Sequence, residues 1–128
     1  ELVLDKWFSA QAMANDKNVL NNIKKLMNHE AFSLSNPNKL RALISAFASA
    51  NQRYFHTQEG YEFLEGIVIQ VDKLNPQTAA RLVTPLTHWH RYESSLQILM
   101  KRSLETILEQ KTLSKDVYEI VSKSLKTV

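Results

Sequence analysis

Leu74-Asn75-Pro76-Gln77-Thr78-Ala79-Ala80-Arg81-Leu82-Val83-Thr84-Pro85-Leu86 is the stretch whose reading decides the fold. Asn75 has the side chain of a helix N-cap, because its amide oxygen accepts the unpaired N–H groups of the first turn. Pro76 follows at the first helical position, where a missing N–H costs nothing. Counted from the cap, offsets 4, 7, 8 and 11 are Ala79, Leu82, Val83 and Leu86, an apolar stripe of helical period. Pro85 lies within that stripe and predicts a kink or a stop, since it lacks the donor an interior turn requires.

The same figure recurs on either side at an interval of 39 residues. Asn36-Pro37-Asn38 opens an earlier copy whose equivalent offsets are Leu40, Leu43, Ile44 and Phe47. Ser114-Lys115-Asp116 opens a later one, giving Tyr118, Val121, Ser122 and Leu125. An amphipathic partner precedes each copy, marked by Val19, Ile23 and Leu26, then by Leu64, Ile67 and Val71, then by Met100, Leu104 and Ile107. A further helix around Leu4, Trp7, Phe8 and Ala12 comes first, and the polar and aromatic segment from Asn51 to Gly60 reads as a connecting loop. Helix pairs repeating at about 40 residues characterise HEAT- and armadillo-like arrays, in which neighbours stack because no pair can bury its own face. The expectation is an all-α protein, an α/α superhelix of about seven main helices forming a single domain over residues 1–128.

Composition agrees. Two glycines and three prolines in 128 residues are too few for a turn-rich β fold. The absence of cysteine excludes disulfide frameworks and thiolate metal sites. The net charge is +3 with both signs interleaved. The mild basic excess at Lys17, Lys24, Lys25, Lys39, Arg41 and Arg53 reads as solvated helix surface rather than a nucleic-acid face. No apolar run reaches the eighteen or so residues of a membrane span, and no signal peptide is visible.

The chemical motifs fail on geometry. His29-Glu30-Ala31-Phe32-Ser33 resembles a zinc-peptidase helix but carries Ser33 where the second histidine must stand, leaving His29 as a last-turn cation. His88 and His90 project about 200° apart on a helix, so Trp89 and its neighbours read as an aromatic filling of the joint after Pro85. Trp7, Phe8, Tyr54, Phe55, Phe63 and Tyr118 are assigned to the core. No catalytic or metal-binding residue is expected in this chain. The caps Asn36, Asn75 and Ser114 should line one rim, with Arg41 and Arg81 one to two turns inside, a setting that favours carboxylates and other anions.

The wording of the caps and loops is itself informative. Ser35-Asn36-Pro37-Asn38-Lys39-Leu40-Arg41, Ala46-Phe47-Ala48, Phe55-His56, Leu74-Asn75-Pro76-Gln77-Thr78-Ala79-Ala80-Arg81-Leu82, Arg91-Tyr92 and Leu113-Ser114-Lys115-Asp116-Val117-Tyr118-Glu119 resemble the C-terminal domain of bacterial aminopeptidase N. The likeness covers nearly the whole chain and departs at Thr87 to His90, where a more basic stretch is expected. It implies a parent zinc metallopeptidase that removes N-terminal residues from peptides in the cytoplasm. Its His-Glu-x-x-His and Gly-x-Met-Glu-Asn motifs would lie in an earlier catalytic domain of the same polypeptide. It further implies that this domain covers the active-site chamber. Gln77 would contribute to the pocket for the first side chain, and Arg41 and Arg81, with Asn36 and Asn38, would line the peptide's route. Without the resemblance, the residues alone suit an independent helical-repeat scaffold for a protein partner.

Overall fold

A computed structural model describes residues 2–126, which divide into two compact units, Glu1–His56 and Thr57–Val128. In the first unit, α1 (Leu2–Ala12) and α2 (Val19–Leu26) precede α3, a continuous helix over residues 37–50. The helix α3 is α-helical at Pro37–Leu40, widens to a π-turn at Arg41–Ser45 and resumes α geometry at Ala46–Ala50. A single turn, α4 (Gln52–Phe55), follows where a loop was expected. Asn51 makes that turn possible by accepting the Tyr54 N–H at 3.3 Å.

In the second unit, α5 (Gln58–Asp72) is capped by Thr57, whose hydroxyl accepts the Gly60 N–H at 2.9 Å. The helix α6 (Pro76–Leu82) ends before Pro85, and a one-turn α7 (Thr84–Thr87) restarts with that proline in its first turn. A 3-10 turn at Trp89–Arg91 leads to α8 (Ser94–Leu108) and α9 (Lys115–Lys126). Setting aside the one-turn α4 and α7, seven longer helices remain and no strand occurs among the described residues, as the repeat pattern predicts.

The stripe register is obeyed in the first two copies. Leu40, Leu43, Ile44 and Phe47 are all buried, as are Ala79, Leu82, Val83 and Leu86. Each full burial of this kind contributes on the order of 1.5–3 kcal/mol. The third copy is rotated by one position: Val117 and Val121 are buried while Tyr118 stands 52% exposed. Its helix packs on α6 and α8, and the smaller valines fit that seam. Trp7, at 41% exposure, also falls outside the core, where it stacks on Phe8 and His29.

Two buried polar ties fix the units internally. Lys39, read from the sequence as a surface cation, is only 2% exposed and pairs through Nζ with Asp5 Oδ1 at 2.6 Å, joining α3 to α1. Asn51, also buried, donates from Nδ2 to the Ala12 and Ala14 carbonyls at 2.9 and 3.0 Å. These carbonyls end α1 and would otherwise lack a partner.

Candidate functional site

In the first unit, the start of α3 gathers three of the residues singled out by sequence. Asn36 Oδ1 accepts the N–H groups of Asn38 and Lys39 at 3.0 and 3.3 Å, so its role as a cap is filled. Asn38 and Arg41 are exposed, and the Arg41 Nη2 donates to Asn38 Oδ1. The guanidinium is thereby aimed along the helix rather than left to sweep through solvent, while its remaining donors stay available for an incoming acceptor. Both residues border a groove of about 620 Å³ between α1 and α3, lined from α1 by positions 2, 5, 6, 9, 10 and 13 and from α3 by 38, 41, 42, 45, 46 and 49. Ser9, inside that groove, donates to the Ala42 carbonyl at 2.8 Å and holds the two helices close.

In the second unit, Gln77 and Arg81 are both exposed on α6. Four residues apart, they occupy one face of that helix, away from the buried Ala79, Leu82 and Val83. Asn75 Oδ1 caps α6 through the Thr78 N–H at 3.2 Å. Ser114 caps α9 in the same way, its Oγ accepting the Val117 N–H at 3.2 Å. Asp72, at the end of α5, binds the Ser114 backbone N–H at 2.8 Å and also takes its hydroxyl proton. The starts of α6 and α9 therefore meet at the same end of α5, and these two helices pack together.

A second cavity in this unit, about 310 Å³, was not foreseen because its polar groups come from two helices with no motif between them. Tyr61, Glu62 and Glu65 reach it from α5, and Arg102, Ser103 and Thr106 from α8. Burial raises the Glu65 carboxyl above its ordinary range, a hydrogen bond from Ser103 opposes this, and Glu62 adds to the rise. Burial also raises the Tyr61 hydroxyl, with a smaller push from Tyr92, so it stays protonated.

The histidines take structural places. His29 lies beyond the end of α2 rather than in its last turn, and its Nδ1 accepts the Ala31 N–H at 3.0 Å between the rings of Trp7 and Phe8. Trp89 is buried, donates from Nε1 to the Ser124 carbonyl at 3.3 Å and meets His90 edge-on, which fills the joint as expected. Among the described residues no three His, Cys, Asp or Glu side chains come together as a metal site. No described helix is long and apolar enough to cross a membrane. What the surface offers is recognition by hydrogen bond and charge, from Asn38, Arg41, Gln77 and Arg81.

Comparison with known proteins gives a consistent answer. A family model described as "Domain of unknown function (DUF3458_C) ARM repeats" matches residues 1–126. Aminopeptidase N of Haemophilus influenzae is 45% identical over 126 residues, covering 97% of this chain and 14% of that protein. Aminopeptidase N of Caulobacter vibrioides is 46% identical over 126 residues, covering 97% of this chain and 15% of that protein. The crystal structure of Legionella pneumophila aminopeptidase A in complex with aspartic acid superposes with a TM-score of 0.92 at 39% identity, over 98% of this chain and 15% of that one. The chain thus spans about one-seventh of the length of the relatives it matches. The armadillo-like reading and the resemblance drawn from the caps and loops are both borne out.

Proposed function

Because the chain belongs to the DUF3458_C family of ARM-repeat domains, we propose that it is the non-catalytic C-terminal domain of a cytoplasmic zinc aminopeptidase that removes N-terminal residues from peptides. The observation that carries this reading is likeness to aminopeptidases across 97% of the chain, loops and caps included. The domain closes and lines the chamber that holds the peptide, working beside the catalytic domain of the same polypeptide. Zinc does not fit here, since the described residues bring together no group of three side chains able to grip a metal. Any zinc therefore belongs to another part of the polypeptide, and no reaction step passes through this chain.

The contribution of this domain is orientation. Gln77 offers a donor and an acceptor to a neighbouring substrate group. Arg81 and Arg41 carry permanent charge and a fork of donors suited to peptide carbonyls or a carboxylate. Asn36 sets the start of α3, and Asn38 holds the Arg41 guanidinium in place. All except the partly covered Asn36 are exposed, so they can serve a ligand without disturbing the core. The test is steady-state kinetics of the full-length polypeptide with Gln77→Ala and Arg81→Ala on several peptides, with zinc content measured alongside. Altered KM and peptide preference at constant zinc content supports the reading, and wild-type kinetics on every peptide removes these residues from the site.

A further inference from the structure

The groove between α1 and α3 has the dimensions and lining of a helix seat. Along each wall the lining positions recur at intervals of three and four residues over three turns, a length of about 16 Å. Ala10, Ala42 and Ala46 give it a shallow floor, while Leu2 and Met13 stand at its ends with 77% and 50% of their surface open. Small residues between larger ones form the depression into which the ridge of a facing helix packs.

We propose that this groove is where a preceding helical repeat of the same polypeptide stacks, through an amphipathic helix that covers Leu2, Ala10, Met13 and Ala46. The inference rests on the reading of the chain as one part of a longer enzyme, whose relatives are about seven times its length. In a repeat array each unit contacts its sequence neighbours, so the unit that covers α1 is the one before it. The far end of the array has the opposite character. On α9 the open positions are Lys115, Asp116, Glu119, Lys123 and Lys126, with Tyr118 the one large aromatic among them, as expected of a terminal repeat that faces water. An apolar first helix and a charged last helix together mark α1 as the face that continues. Asp5 is already occupied by Lys39, which leaves Lys6 to set the charge of the rim. The arriving helix should therefore carry an acidic side chain beside its apolar ridge.

The chain contains no cysteine, so single thiols report on this face without background from it. In the full-length polypeptide at low concentration, Ala10→Cys and Met13→Cys should react with a maleimide at least about tenfold more slowly than Glu119→Cys on α9. Melting temperatures equal to wild type confirm that each variant is folded, and the labelled peptides are identified by mass spectrometry. Comparable rates at all three positions overturn the proposal. Protection that appears only as concentration rises, together with a doubled mass, assigns the groove to a second copy and also overturns it. Aminopeptidase assays on the same unlabelled protein keep the two readings apart: an inactive polypeptide sinks the functional proposal, while the labelling still decides the groove.

Discussion

Asp72 reaches 42 residues along the chain to bind both the backbone N–H and the hydroxyl of Ser114, so the cap of α9 is itself held by the last residue of α5. The carboxylate is buried, and bonds of this charged kind are each worth about 1.5–3 kcal/mol. Asp72→Ala should lower stability by about 2–3 kcal/mol, since it strands the Ser114 amide. Ser114→Ala should cost less, about 1–2 kcal/mol, as it keeps that amide bonded and loses the hydroxyl. Thermal unfolding of the two variants checks the ranking.

The Asp5–Lys39 pair is asymmetric, with side-chain exposures of 25% and 3%. Lys39→Met keeps the buried stem and leaves a carboxylate that water can reach. Asp5→Ala removes an acceptor from an ammonium that water cannot reach. Asp5→Ala should therefore be the more damaging, at about 3 kcal/mol. Urea denaturation midpoints that rank the two in reverse would show that the carboxylate is the strained partner.

Asn51 satisfies two carbonyls and one amide at once. Asn51→Asp is nearly the same size but cannot donate, and it presents an anion to the Ala12 and Ala14 carbonyl oxygens. We expect a loss of about 3 kcal/mol near neutral pH, with part recovered in acid as the new carboxyl takes a proton.

The acid–base response has two opposed parts. Glu65 is shifted upward, so above its ordinary value of 4.5 the folded chain holds a proton that the unfolded chain has lost. Stability then falls as pH rises through that window. His56 is shifted downward by burial, and His88 by burial and then by Arg91 and His90. For these the unfolded chain protonates first, and stability falls as pH drops below 6.5. Glu65→Gln should flatten the first slope and leave the second, which denaturant titrations between about pH 4 and pH 8 would resolve.

Gln77→Ala and Arg81→Ala touch no buried position and should change stability by less than about 0.5 kcal/mol. In the full-length polypeptide each should weaken substrate use, roughly tenfold for every 1.4 kcal/mol of lost interaction. A melting temperature that falls without a kinetic change would make them structural.

The parts of this fold that were legible are those written in large side chains and caps. Asn36, Asn75 and Ser114 cap as their chemistry predicts, and two of the three stripes face inward residue for residue. The third misled because Val117 and Tyr118 are adjacent and both suit an apolar face, so only the packing partner decides between them. The turn at Gln52–Phe55 was invisible because one helical turn is too short to show a period. Lys39 was misread because burial of a lysine depends on an aspartate 34 residues away. The groove left no trace in the pattern, since alanine and serine are as common on open helix faces as on packed ones.

The π-turn at Arg41–Ser45 has a consequence for how this segment tolerates change. A π-turn accommodates one more residue than an α-turn of the same span. Deleting a single residue there would restore α geometry and rotate everything after it by about 100°. Phe47, now 1% exposed, would leave the core, and Ala46 and Ser49 would leave the groove with it. Substitutions at exposed positions of α3 alter one side chain each, whereas a change of length by one residue re-aims the whole second half of the helix. Chain length, more than residue identity, is what selection must hold constant between Arg41 and Ser45.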